Sequence, residues 1–316
     1  VRKMTTSFDL KAALKKVCKN CKESTLKTYE RNLRRLSKIA GFEEIPKNKG
    51  WLVGDSGKAL IKKLQRMPLN VHRHLLVSGA TGVRLYTGDK ERSSMWVMAM
   101  NEASHAYDSQ RAKQEKSSKE EKDWPAGGYK SLAKAASIMK RKILGLLKKK
   151  EYTHLEAYDV QKFIILQLFS KTTFRLSPAT LLLKASKTEN TLLRPRGKRK
   201  FVVTLRDHKT SRSMGVLTVP LDLSTSKLLS TYLPKIRANA KHEYFLSLKD
   251  GSRMSRAALS KLLLRLTKSI LGSKVGVRLA RVLKVTANRK KIDEVSALQT
   301  ELGHSARTQR NYVRRD

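Results

Sequence analysis

Acidic residues are scarce in this sequence. Asp and Glu number 26 against 69 Lys and Arg, which leaves a formal net charge of +43 on 316 residues. A chain so unbalanced repels itself unless a polyanion neutralises it, so nucleic acid becomes the leading partner class. Long apolar runs are also missing. None approaches the ~18 residues of a membrane-spanning helix, and no signal-peptide pattern opens the chain. No membrane partner is expected, and the expected location is intracellular, or the nucleus in a eukaryotic host. Cysteine is nearly absent: Cys18 and Cys21 form a single C-x-x-C in KVCKNCKES. Zinc would need two more ligands, and no histidine lies near in sequence, so chance spacing on a helical surface is expected, with no metal and no cofactor.

What is present is enough apolar material, 40% of residues, to build cores for two domains. In STLKTYERNLRRLSKIAG, Leu26, Tyr29, Leu33 and Leu36 recur at steps of three and four between a Ser/Thr start and Gly41. That is an amphipathic helix with a signalled start and stop. Its other face carries Lys27, Arg31, Arg34, Arg35 and Lys38, placed to follow a phosphate backbone or simply to be solvated. Helical stretches follow around 57–67 and from about 93, where Met and Trp read as core packing. The polar run SSKEEKDWPAGG reads as an interdomain linker. Two further helical segments lead to residue 200, where β-rich runs at 201–205 and 216–219 flank a polar turn, a hairpin signal. Helical pattern then returns to the end of the chain. The basic cluster RPRGKRK at 194–200 fits either a nuclear import signal or a phosphate contact.

Cutting and rejoining DNA without a cofactor requires a definite set of groups. A nucleophile must conserve the phosphodiester energy, two guanidinium groups must hold the nonbridging oxygens, and an acid must protonate the leaving 5′ oxygen. Tyrosine, two arginines, and lysine or histidine suit these tasks; the planar arginine fork donates to phosphate in a bidentate manner and stays charged.

Four stretches resemble the tyrosine recombinases, or phage-type integrases. FSKTTFRLSPATLLL is similar to their first arginine motif, with Arg175 in the arginine position, and DHKTSRSMGVLTVPL to their strand-turn-strand lysine, giving Lys209. In VGVRLARVLKVTA the H-x-x-R of the family appears as R-L-A-R, with Arg281 as the second arginine and Arg278 where histidine is usual. LGHSARTQRNY matches the leucine-glycine-histidine signature before the nucleophile, giving His304 and Tyr312. Arg281 and His304 lie 23 residues apart, an interval common in the family.

The resemblance implies a mainly α fold: a helical N-terminal core-binding domain at 1–118, a linker at 119–128, and a mixed α/β catalytic domain with a small antiparallel β-sheet at 129–316. The two domains would close as a clamp on double-stranded DNA. It also implies a site-specific recombinase working through a 3′-phosphotyrosyl intermediate without metal. Arg175, Arg281 and Arg278 would hold the phosphate, His304 would add a hydrogen bond, Lys209 would be the acid and Tyr312 the nucleophile. Lys27, Arg31, Arg34, Arg35, Lys38 and Arg212 are the further candidate DNA contacts. Such enzymes work as tetramers on synapsed DNA, and a monomer is expected in solution. The tail arginines Arg307, Arg310, Arg314 and Arg315 are expected as backbone contacts or solvated charges.

This chain departs from the family pattern at three places. Pro178 stands where a carboxylate is usual, Arg278 replaces histidine, and the step from His304 to Tyr312 is one residue short. These departures point to a divergent branch, such as Crypton-like elements or large DNA viruses. A type IB topoisomerase, which shares the catalytic residue types, and a noncatalytic DNA-binding derivative stay open.

Overall fold

Asp9 opens the first helix, α1 (Leu10–Val17), by accepting hydrogen bonds from the backbone N–H groups of Lys11 and Ala12, both at 3.0 Å. This occupies donors that every helix start leaves without an intrahelical partner. The computed structural model describes residues 9–48, 50–87, 93–172, 174–238, 240–288 and 313–314. These residues form two compact units that divide between Lys113 and Gln114, each with its own apolar core.

In the first unit, α1 is followed by α2 (Glu23–Ile39) across a turn in which Cys18 and Cys21 are disulfide-bonded, their Cα atoms 5.4 Å apart. Chance spacing is thus corrected: the chain reverses after α1, and the reversal brings the two cysteines within bonding reach. No group of three or more His, Cys, Asp or Glu among the described residues is placed to hold a metal. The α2 stripe is as expected, with Leu26, Leu33 and Leu36 buried and Tyr29 packed against them. Each such leucine contributes about 1.5–3 kcal/mol of burial, which fixes the helix rotation. Lys27, Arg31, Arg34, Arg35 and Lys38 are consequently all exposed.

Three helices complete this unit: α3 (Gly54–Leu64), α4 (Leu69–Thr87) and α5 (Ser94–Ala112). Trp96 on α5 is fully buried and donates its indole N–H to the Leu52 carbonyl at 2.7 Å. It lies so close to α4 that a Cβ on Gly79 would come within 2.2 Å of its ring. Gly79 is therefore what lets the two helices meet. The core reading holds for Trp96, whereas Met98 is 64% exposed.

The second unit starts with a helix inside the stretch expected as linker. α6 (Ser118–Asp123) carries a capping box: the Ser117 hydroxyl accepts from the Glu120 N–H, and the Glu120 carboxylate accepts from the Ser117 N–H. A helix so capped, with Glu120 buried, is a structured part of this unit. Then come α7 (Lys130–Lys142), the short α8 (Leu144–Leu147) and α9 (His154–Lys171). α9 buries residues on all sides, among them Val160, Ile164, Ile165 and Phe169, as the central helix of a core must.

A three-stranded antiparallel sheet follows, β1 (Thr191–Leu193), β2 (Val202–Leu205) and β3 (Leu217–Pro220), in that spatial order. The expected hairpin is β2–β3, with Val203 opposite Val219, and its turn holds one helical turn, α10 (Ser211–Met214). The strand β1 is additional. The chain continues as α11 (Leu223–Arg237), α12 (Arg256–Leu271) and α13 (Val277–Ala287). α12 stops at Gly272, whose φ of +72° is the left-handed conformation glycine adopts without strain. The Thr267 hydroxyl then accepts from the Val275 N–H at 2.9 Å and sets the entry to α13. α13 packs Leu279, Val282 and Leu283 around Leu132 of α7. No helix among the described residues is long and apolar enough to cross a membrane.

Candidate active site

Helix α13 carries Arg278 and Arg281 three residues apart, and the fold treats them differently. Arg281 is 4% exposed, while the Arg278 side chain is 69% exposed. A guanidinium cannot shed its charge on burial, so a buried one is desolvated before any ligand arrives, and its hydrogen bonds to an anion gain strength. The same helix buries Lys284, whose ammonium donates to the Lys171 carbonyl at 2.9 Å. That carbonyl belongs to the last turn of α9, where a cation is favoured by the helix dipole. Arg175 lies four residues further on, so this one bond ties α13 to the segment that holds Arg175.

Arg175 is half-buried between Phe174 and a single turn of 3₁₀ helix, Ser177–Thr180. Pro178 sits at the start of that turn, where a missing N–H costs nothing, and contributes no carboxylate. The turn is joined to the hairpin by Asn190, which is 2% exposed. Its Nδ2 donates to Thr180 Oγ1 at 2.9 Å and to the Asp207 carbonyl at 3.0 Å. Its Oδ1 accepts from the N–H groups of Arg206 and Asp207 at 2.7 and 2.9 Å. All four bonds open to an asparagine amide are made, and they link the Arg175 segment to the residues just before Lys209.

Lys209 itself is exposed at the head of the hairpin turn. Beside it His208 is buried, with Nε2 2.9 Å from the Gly215 carbonyl and Nδ1 3.2 Å from Thr210 Oγ1. A carbonyl only accepts, which assigns the ring proton to Nε2 and makes Nδ1 the acceptor from the threonine hydroxyl. The histidine thereby closes the loop that presents Lys209.

His304 and Tyr312 lie outside the described residues, and so does the side chain of Arg212. The two residues after Tyr312 are described. Val313 and Arg314 are buried, and the Arg314 N–H donates to Thr286 Oγ1 on α13 at 3.0 Å. The Arg314 guanidinium pairs with Glu120 through two hydrogen bonds of 3.1 Å. The expectation of a solvated or DNA-contacting Arg314 is therefore corrected: a buried carboxylate claims it. Arg278 reaches the same carboxylate at 3.6 Å. Burial alone would raise the Glu120 pKa, but the hydrogen bonds from Arg314 and from the Ser117 backbone and hydroxyl outweigh it and hold it below the ordinary carboxylate value.

Asn190, His208 and Glu120 are absent from the sequence-based site. Each acts across 7 to 194 residues of separation, and only Glu120 left a trace, as the fourth position of a capping box. Asn190 joins the Arg175 and Lys209 segments, Lys284 joins the Arg175 segment to α13, and Glu120 joins the chain after Tyr312 to Arg278 of α13. The five basic side chains of α2 stay an exposed face of the first unit.

No family model matches this sequence, and no curated protein matches it. Solved structures do match. The XerH site-specific recombinase bound to its difH substrate, in a pre-cleavage complex, aligns with 96% of this chain and 82% of its own, with a TM-score of 0.54 and 16% identity. The same recombinase on a palindromic difH substrate, in a post-cleavage complex, aligns with 96% and 80%, with a TM-score of 0.51 and 15% identity. At such identity the likeness is one of fold: mainly helical, with a small three-stranded antiparallel sheet.

Proposed function

From a fold shared with the tyrosine recombinases, we propose that this chain is a site-specific DNA recombinase of a divergent branch, with double-stranded DNA as substrate. The observation that carries the reading is the convergence on α13: a buried Arg281, an exposed Arg278, and the chain directly after Tyr312 hydrogen-bonded to Thr286 of the same helix. The formal charge of +43 supports a nucleic-acid substrate held largely through its phosphates.

In the proposed reaction the Tyr312 oxygen attacks the scissile phosphorus. A bond from phosphorus to the phenolic oxygen forms, the bond to the 5′ oxygen breaks, and a 3′-phosphotyrosyl link holds the cut strand. The phenol proton leaves to solvent, and Lys209 gives a proton to the departing 5′ oxygen. Arg175, Arg281 and Arg278 bind the nonbridging oxygens and stabilise the charge of the transition state, with His304 donating to the same phosphate. Attack by a 5′ hydroxyl of a second strand reverses these steps and completes the exchange. The protein is a monomer that assembles into a tetramer on paired DNA sites.

A nicked suicide duplex, which lets the short fragment bearing the freed 5′ hydroxyl diffuse away, tests the reading. Wild type becomes linked to DNA and Tyr312→Phe does not. Linkage in neither, with DNA bound, leaves a noncatalytic DNA-binding protein. Relaxation of supercoiled plasmid without any specific site places the chain with the type IB topoisomerases instead.

A further inference from the structure

We propose that Glu120 and Arg314 are positioning residues for the Tyr312 nucleophile: their buried ion pair holds the segment that follows Tyr312 against α6, while the Arg314 amide and Arg278 tie that junction to α13. This rests on the strand-exchange reading above. Glu120 is 8% exposed and Arg314 4%. The guanidinium fork meets the carboxylate with Nε on Oε2 and Nη2 on Oε1, both at 3.1 Å, a bidentate pairing that fixes orientation as well as distance. The Ser117 N–H and hydroxyl also donate to Oε2 at 3.0 and 3.1 Å, so that oxygen accepts three hydrogen bonds and the carboxylate is fixed in place. The Arg314 amide adds its bond to Thr286 Oγ1 at 3.0 Å.

A buried ion pair is a poor way to add stability, because desolvation cancels much of the attraction and an apolar pair of the same volume serves as well. What it adds is one geometry. That is what in-line attack needs, since misplacing a reacting atom by 1 Å costs about 10²-fold in rate. The same carboxylate lies 3.6 Å from Arg278. It therefore places an acidic group beside a candidate phosphate ligand in a chain where Pro178 provides none.

Hydrogen exchange and single-turnover linkage to the suicide duplex, measured on the full chain, test the proposal. Removing one partner strands a charge and risks unfolding, so the double variant Glu120→Gln/Arg314→Met carries the test. Its C-terminal amides are expected to exchange at least roughly tenfold faster than in wild type, while α9 keeps its protection. Its DNA affinity stays at the wild-type level, and its linkage rate at saturating DNA falls about 10²-fold. Arg314→Lys, which keeps the charge and loses the fork, falls between. A double variant that links at the wild-type rate, or loses rate only in step with DNA affinity, or opens α9 as much as the tail, overturns the positioning role and leaves the recombinase reading intact. A wild type that binds DNA and never links overturns that reading and the positioning role with it.

Discussion

Helices α2 and α13 are both basic and amphipathic, yet they use charge in opposite ways. On α2 the leucine stripe is buried and every cation of the other face is exposed, with Arg34 paired to Glu30 at 2.9 Å near solvent. On α13 the buried side includes Arg281 and Lys284. Charge on an outer face interacts with any polyanion and is screened by salt. Charge inside a fold is costly to place and is oriented by its surroundings, so it can discriminate one phosphate geometry.

The largest effect that separates the two helices is expected at Arg281. Arg281→Lys keeps the charge and loses the fork, so the single-turnover linkage rate should fall by about 10²–10³-fold while DNA affinity holds. An equal loss of affinity would make α13 as generic as α2. Next is Asn190→Ala, which removes one hydrogen bond to the Arg175 turn and three to the base of the hairpin. It should cost about 1–3 kcal/mol in chemical denaturation and slow linkage as well. Lost stability with unchanged linkage in the folded fraction would show that the two segments need no coupling.

A smaller effect is expected on α2. Arg31→Ala should lower the slope of log affinity against log salt by about one, uniformly across DNA sequences, with no change in linkage rate at saturating DNA. The pH dependence gives the smallest. Glu120 is held below its ordinary value of 4.5, so its contribution is fully present above that pH. It is lost as pH falls through the lower folded value. Acid unfolding of wild type should therefore steepen below about pH 4.5, and the Glu120→Gln/Arg314→Met double variant should lack that component.

The contrast between the helices also marks what the sequence could tell. The α2 stripe of Leu26, Leu33 and Leu36, and the β2–β3 hairpin, were legible because periodicity reports burial of neighbours in sequence. The resemblance at R-L-A-R brought out Arg278 and Arg281 but not their unequal burial. β1 was missed because three residues carry too little pattern and its partner strand specifies it. α6 has the polar composition of a linker, although Ser117 and Glu120 spell a capping box. Asn190 and the Glu120–Arg314 pair were illegible for a further reason: polar side chains that satisfy one another across the fold leave no periodic trace.

Identifying the residue that carries DNA after trapping on the suicide duplex tests the central claim most directly. Protease digestion and mass spectrometry of the adduct should find the nucleotide on Tyr312, attached through its 3′ phosphate. Attachment to another residue, attachment through a 5′ phosphate, or no adduct under conditions where DNA is bound would contradict the account.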